Sequence, residues 1–187
     1  MKLFLWISVF FFCDVAAGDV QFWKEAIDVT IKVPDTVQVS GKYYLKARAV
    51  GDTIKTVIFY PFPVDSTLDY PYWYEAAIGT NTPAPHVCKA RDGITLEVTV
   101  LPQKVCTLTV VYKQHVRQRK GRYILTTTQY WGEPLAAGDY SVEVPSGITL
   151  EYLSYPSDTI EDINQATIFR FQRRAFLPDR DLIFSWK

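Results

Sequence analysis

The sequence predicts an all-β protein, an antiparallel β-sandwich of about nine to ten strands. Three observations carry this. Apolar and polar residues alternate with period two over many short runs, turn-forming Pro and Gly residues separate those runs, and helical spacing is weak. Of 187 residues, 48% are hydrophobic and only 21% charged, which supports a packed core and excludes a disordered chain. The 20 basic and 20 acidic residues cancel, which removes the electrostatic footprint of a general nucleic-acid binder.

At the N-terminus, Lys2 precedes an apolar run from Leu3 to Phe12 broken only by Ser8, and Val15-Ala16-Ala17 offers the small residues that a signal peptidase reads. A membrane span needs about 20 apolar residues, and Asp14 ends this run well short of that. Residues 1–18 therefore read as a secretory signal peptide cleaved after Ala17 or Gly18. Cys13 follows Phe12, where a lipid-modification box carries a small residue. The expected mature chain, residues 19–187, is one exported domain, secreted or periplasmic, without a membrane span.

Residues 19–26 read as a short turn of helix. Ile27, Val29, Ile31 and Val33 then alternate with polar residues, as expected of a half-buried strand. Gly51-Asp52 separates a run at 42–50 from one at 53–60. Ile94, Leu96, Val98 and Val100 share a face, as do Cys106, Leu108, Val110 and Tyr112, with a Pro102 turn between them. A strand is expected over 123–128, after a turn at 118–121. Tyr140, Val142 and Val144 share a face and Pro145-Ser146-Gly147 turns the chain into Ile148, Leu150 and Tyr152. Residues 158–165 read as a second helical turn capped by Asp158. Phe169 and Phe171 share a face of a late strand, and Leu182, Phe184 and Trp186 close the chain.

In an exported chain, the two cysteines left after cleavage, Cys88 and Cys106, read as a disulfide. Such a bridge would stabilise the fold by about 3 kcal/mol on the chain-entropy account. A metal site built on His86, Cys88 and Cys106 lacks a fourth ligand, so no metal is expected.

Three segments carry surface chemistry. The first, Phe59 to Tyr74, is rich in aromatics and interrupted by Pro61, Pro63 and Pro71, which keeps it out of a central strand. Tyr70, Tyr72, Trp73 and Tyr74 are its candidate contact residues, because exposed Tyr and Trp give large rigid contact area with a polar tip. The same rings also suit covering an open end of the sandwich. The second is a basic hairpin at 113–122, where Lys113, His115, Arg117 and Arg119 would share one strand face and meet an anionic partner. Like charges there would equally protect an edge strand. The third holds Arg170, Arg173, Arg174 and Pro178-Asp179-Arg180-Asp181, read as local ion pairs; two carboxylates fall short of the six to eight oxygens of a Ca²⁺ site.

No Gly-x-Ser-x-Gly elbow, His-Glu-x-x-His, phosphate loop or Gly-x-Gly-x-x-Gly occurs. Carboxylate pairs that could meet as a glycosidase pair are Asp65 with Asp69, Glu133 with Asp139, and Asp158 with Glu161 and Asp162. No activated nucleophile stands out, so no catalytic residue and no cofactor is expected.

Tyr43-Tyr44-Leu45-Lys46-Ala47, the run Ile54–Val57 and Phe59-Tyr60-Pro61-Phe62-Pro63 resemble the opening of vault/inter-alpha-trypsin (VIT) type domains. The stretch from Pro178 to Trp186 resembles the close of such domains in exported bacterial proteins. The segments 123–127 and Trp131-Gly132-Glu133-Pro134-Leu135 look like secreted bacterial β-domains without an assigned role. The resemblance covers about a third of the chain, and no von Willebrand A domain follows. It implies an Ig-like or VIT-like sandwich with an extracellular interaction role and no catalytic residues. Taken together, these features lead to an expected non-catalytic module that binds an extracytoplasmic protein or envelope partner through the aromatic segment and the basic hairpin. The alternative is a carbohydrate-binding protein that stacks sugars on Tyr70, Tyr72, Trp73 and Tyr74.

Overall fold

The computed structural model describes residues 19–48, 51–79, 82–84 and 87–187. The signal peptide read at 1–18 and the His86 ligand lie outside the described residues. The eight-stranded sheet runs, edge to edge, through β12 (Thr159–Ile163), β13 (Ala166–Phe176), β10 (Leu135–Pro145), β1 (Val20–Lys32), β2 (Thr36–Ala47), β8 (Val105–His115), β4 (Trp73–Ile78) and β5 (Thr82–Pro83). Two three-stranded sheets complete the fold, β11 (Leu150–Leu153), β14 (Leu182–Trp186) and β9 (Lys120–Tyr123) in one, and β3 (Ile54–Pro61), β7 (Gly93–Val100) and β6 (Cys88–Lys89) in the other.

The all-β class holds, but the purely antiparallel sandwich does not. β1 pairs with β2 antiparallel and with β10 in parallel, so the large sheet is mixed. A strand buried on one face shows the same alternation whichever way its neighbour runs, so the pattern could not reveal this. The strands without an expected counterpart are β4, next to the sheet edge, and β5, β6 and β12, short pieces at sheet edges.

One core fills the space between the large sheet and the two small ones. Ile27, Val29 and Ile31 of β1 and Leu108, Val110 and Tyr112 of β8 face inward, and Ile94, Leu96 and Val98 of β7 with Phe184 and Trp186 of β14 belong to the same cluster. Each fully buried aliphatic side chain of this kind contributes about 1.5–3 kcal/mol. Gly121 of β9 lies against the Phe184 ring so closely that an added Cβ would enter it.

Four local readings are corrected. Of residues 19–26, only Asp19 is in a helical turn, and Val20 onward is the start of β1. A β-bulge between Phe22 and Lys24 leaves Trp23 and Lys24 both on the outer side and breaks the period-two signal. Residues 158–165 hold edge strand β12; Asp158 accepts the Gln172 N–H and pairs with Arg173 rather than capping a helix. The basic hairpin is not a hairpin: β8 ends at His115 and β9 pairs with β14 in another sheet, with a 3-10 turn at Arg117–Arg119 between them. Residues 126–131 form a second 3-10 turn in place of a strand. Asp181 caps it by accepting the N–H groups of Leu125 and Thr126 and the Thr126 hydroxyl.

The disulfide expectation is also corrected. Cys88 is exposed on β6, Cys106 is half-buried on β8, and neither is bridged. They lie in different sheets, opposite Thr95 and Leu45 respectively.

Two outcomes follow from this packing. Gly121→Ala should lower stability by about 1–3 kcal/mol through overpacking against Phe184, read from the denaturant midpoint. Non-reduced protein should alkylate at both cysteines, Cys88 first, because burial raises the Cys106 thiol and limits its access; a peptide linking 88 to 106 would contradict this.

Candidate functional site

The aromatic segment divides between core and surface. Tyr60 and Phe62 are buried, and Tyr70 and Tyr74 pack edge-on or tilted against Phe62 at 5.3 and 5.8 Å. Tyr70 also donates its hydroxyl to the Gly93 carbonyl, and Lys89 lies over its ring. These rings belong to the core or pack against it. Tyr72 and Trp73 instead stay open, 54% and 40% exposed.

Register explains this split. On β4, Trp73 and Glu75 point outward while Tyr74 and Ala76 point in, following the strand's period of two. Trp73 sits opposite Lys113 of β8, whose ammonium lies 5.1 Å from its ring centre. Tyr72 stacks on His115 with ring centres 4.6 Å apart. The His115 ring also lies 3.7 Å from Asp35 and near the Thr36 hydroxyl. Four of the expected contact residues, Tyr72, Trp73, Lys113 and His115, therefore meet in one surface patch.

Arg117 and Arg119 lie beyond the strand, so they do not share its face. Arg117 pairs with Asp69 at 2.7 Å, and Arg119 has a left-handed backbone with φ 51°. The patch lies at a sheet edge. β5 pairs only with Ala77 and Ile78, and Ala84 N–H donates to the Ala76 carbonyl. Strand alternation then turns the Tyr74 N–H and C=O toward the edge, where the described residues supply no partner strand.

A second feature was not legible in the sequence. Beneath β3 and the 3-10 turn at Thr126–Trp131 lies a cavity of about 70 Å³ whose walls include Glu25, Tyr43, Tyr60, Tyr123 and Trp131. Glu25 is only 3% exposed and accepts the Tyr140 hydroxyl at 2.6 Å. Burial pushes its carboxyl up to about 7, against the lowering effect of the Tyr140 hydrogen bond. The Tyr43 hydroxyl lies 2.8 Å from both the Tyr60 and the Tyr123 hydroxyls. Burial, ahead of neighbouring charges, holds all three phenols well above their ordinary range.

Five of the seven carboxylates singled out as pairs are tied to arginines, and Asp162 instead accepts the Thr167 hydroxyl. Asp65 pairs with Arg122, Asp69 with Arg117, Glu133 with Arg48, Asp158 with Arg173 and Glu161 with Arg170. Partial burial works to raise Asp65, but hydrogen bonds from Thr67 and Leu68 and the Arg122 charge hold it below the usual carboxylate range. The Arg48 hydrogen bond does the same for Glu133. Among the described residues, no three His, Cys, Asp or Glu side chains are grouped to hold a metal ion, and no helix is long and apolar enough to cross a membrane.

No protein-family model and no curated protein matches the chain. Solved structures do match in fold. A protein from Legionella pneumophila, provisionally named as nutrient-binding, aligns with a TM-score of 0.71 at 12% identity, over 90% of this chain and 67% of its own. An M1 zinc metallopeptidase from Deinococcus radiodurans aligns with a TM-score of 0.55 at 11% identity, over 89% of this chain. A mutant of that enzyme bound to a Tyr-Ser-Ala substrate aligns with a TM-score of 0.56 at 10% identity. This chain spans 42% of the length of each peptidase. At these identities the likeness is one of fold.

The buried carboxyl has a consequence for stability. Because its folded value is raised from 4.5 to about 7, Glu25 favours the folded state fully below 4.5, and that contribution is lost as pH rises through 7. Between pH 5 and pH 8 the loss should reach on the order of 3 kcal/mol. Urea titrations should show it in the wild type and a flatter profile in Glu25→Gln.

Proposed function

We propose that the protein is an exported, non-catalytic binding module that takes an extended segment of an extracytoplasmic protein along the open edge of β4. One observation carries this reading. The edge beside Trp73–Glu75 has no partner strand among the described residues, and it is flanked by exposed Tyr72 and Trp73. Main-chain groups on such an edge give affinity, and neighbouring side chains give selectivity. Lys113, opposite Trp73, favours an acidic segment. One further point supports a non-catalytic role: five of the carboxylates that could have met as acid–base pairs are tied to arginines. The nutrient-binding name of another neighbour is compatible with a binding role, as is the VIT-like opening at 43–63.

The carbohydrate reading is the second. The exposure of Tyr72 and Trp73 favours it. It is weakened because His115 covers one face of Tyr72, Lys113 leans over Trp73, and Tyr70 and Tyr74 are turned into the core.

A photo-crosslinking side chain at Tyr72 should capture the partner in cells. Trp73→Ala should weaken binding of the captured partner by about tenfold or more, as for an aromatic anchor, and added salt should weaken it further. Capture that is indifferent to Trp73→Ala would overturn the edge reading. Saturable quenching of tryptophan fluorescence by an oligosaccharide, lost in Trp73→Ala, would favour the sugar instead.

A further inference from the structure

The cavity around Glu25 is independent of the β4 edge and is built differently from the rest of the core. We propose that it is a binding site for a small primary ammonium group, of the size of ammonium or methylammonium.

The argument begins with charge. The cavity walls contain no Lys, Arg or His, and Glu25 is the one lining group that ionises near neutral pH. Its sequence neighbour Lys24 lies on the opposite face of β1, over the Trp23 ring at 4.1 Å. One carboxyl oxygen of Glu25 takes the Tyr140 hydroxyl, and the other accepts no hydrogen bond among the described residues. A carboxylate buried to this degree without a countercharge is costly, and a cation seated beside it removes much of that cost.

Hydrogen bonding points the same way. Tyr43, Tyr60 and Tyr123 bring three hydroxyl groups together but make two hydrogen bonds among themselves. Each neutral hydroxyl oxygen carries two lone pairs, so acceptor capacity exceeds what the cluster uses. A guest with several N–H donors fits that surplus. The rings of Phe22, Tyr43, Tyr60 and Trp131 line the same space, and aromatic faces attract cations. A hard divalent ion would need about six oxygen ligands or more, beyond one carboxylate and neutral phenols.

Size limits the guest. A cavity of about 150 Å³ holds benzene, so about 70 Å³ admits only two or three heavy atoms. The guest must therefore be a very small amine or the tip of a longer one entering between β3 and the turn at Thr126–Trp131.

The phenols that interact with Glu25 are Tyr43 on β2, Tyr123 on β9 and Tyr140 on β10, and Tyr60 on β3 lines the same cavity; all remain neutral at physiological pH. The pH dependence of binding should thus be that of Glu25 alone. Wild-type protein carrying ¹³C-labelled glutamate would be titrated with methylammonium chloride at pH 8, with potassium chloride and tetramethylammonium chloride as controls. The carboxyl signal that titrates near 7 should shift saturably with methylammonium and with neither control. Affinity should fall about tenfold from pH 8 to pH 6, as Glu25 takes up its proton. Methylammonium should also change tryptophan fluorescence saturably through Trp131 in the cavity wall, and Glu25→Gln, which has no carboxyl signal at 25, should abolish that change. Tyr60→Phe, which keeps the ring and the carboxyl, should weaken it and serves if the Gln variant does not fold. A wild-type signal that moves no more with methylammonium than with potassium would mean that the cavity holds only water and would overturn the proposal, as would saturable binding that survives Glu25→Gln.

Discussion

Three tyrosine hydroxyls meet at the point where three sheets meet. Tyr43 belongs to the large sheet, Tyr60 to the β3 sheet and Tyr123 to the β9 sheet, and the Tyr43 hydroxyl contacts both of the others. Apolar packing alone is non-directional and would let the small sheets slide over the large one. Buried hydroxyl pairs have to be satisfied in one geometry, so they fix where each small sheet sits. The cavity and the packing of Tyr60 on Phe62 both follow from that placement.

The inward position of Glu25 depends on a smaller feature of β1. Before the bulge Val20 and Phe22 face the core, and after it Glu25, Ile27, Val29 and Ile31 do. A one-residue insertion shifts every later side chain to the opposite face. The bulge thus keeps both halves of an apolar strand inward, and it also brings a carboxylate into the core.

Much of the fold was legible in the sequence because half-buried strands write their burial directly into period two. The runs at 94–100, 140–144 and 182–186 appear as strands β7, β10 and β14. What escaped was whatever breaks or lies outside that period. The bulge made residues 19–26 look helical. Ile160 and Ile163 have helical spacing but lie exposed on an edge strand. The basic segment looked like a hairpin because alternation says nothing about a chain that leaves one sheet for another at Arg117. Of the expected surface residues, Tyr72, Trp73, Lys113 and His115 came together because paired strands carried them, whereas Tyr70 and Tyr74 turned inward. Nothing around Glu25 marks it as buried in the sequence, because its hydroxyl partner at Tyr140 lies far along the chain and reaches it only through the β1–β10 pairing.

That parallel pairing also sets the order in which the chain can fold. Lys24 lies beside Ala137 and Thr30 beside Glu143, so β1 cannot gain its second neighbour until almost three quarters of the chain is present. Until then, a central strand of the large sheet has one side unprotected, and the contacts that close it are among the longest in sequence. Topologies of this kind reach the native state slowly. A chain made from its N-terminus must therefore spend its synthesis as an open sheet, dependent on whatever shields that side of β1 before β10 arrives.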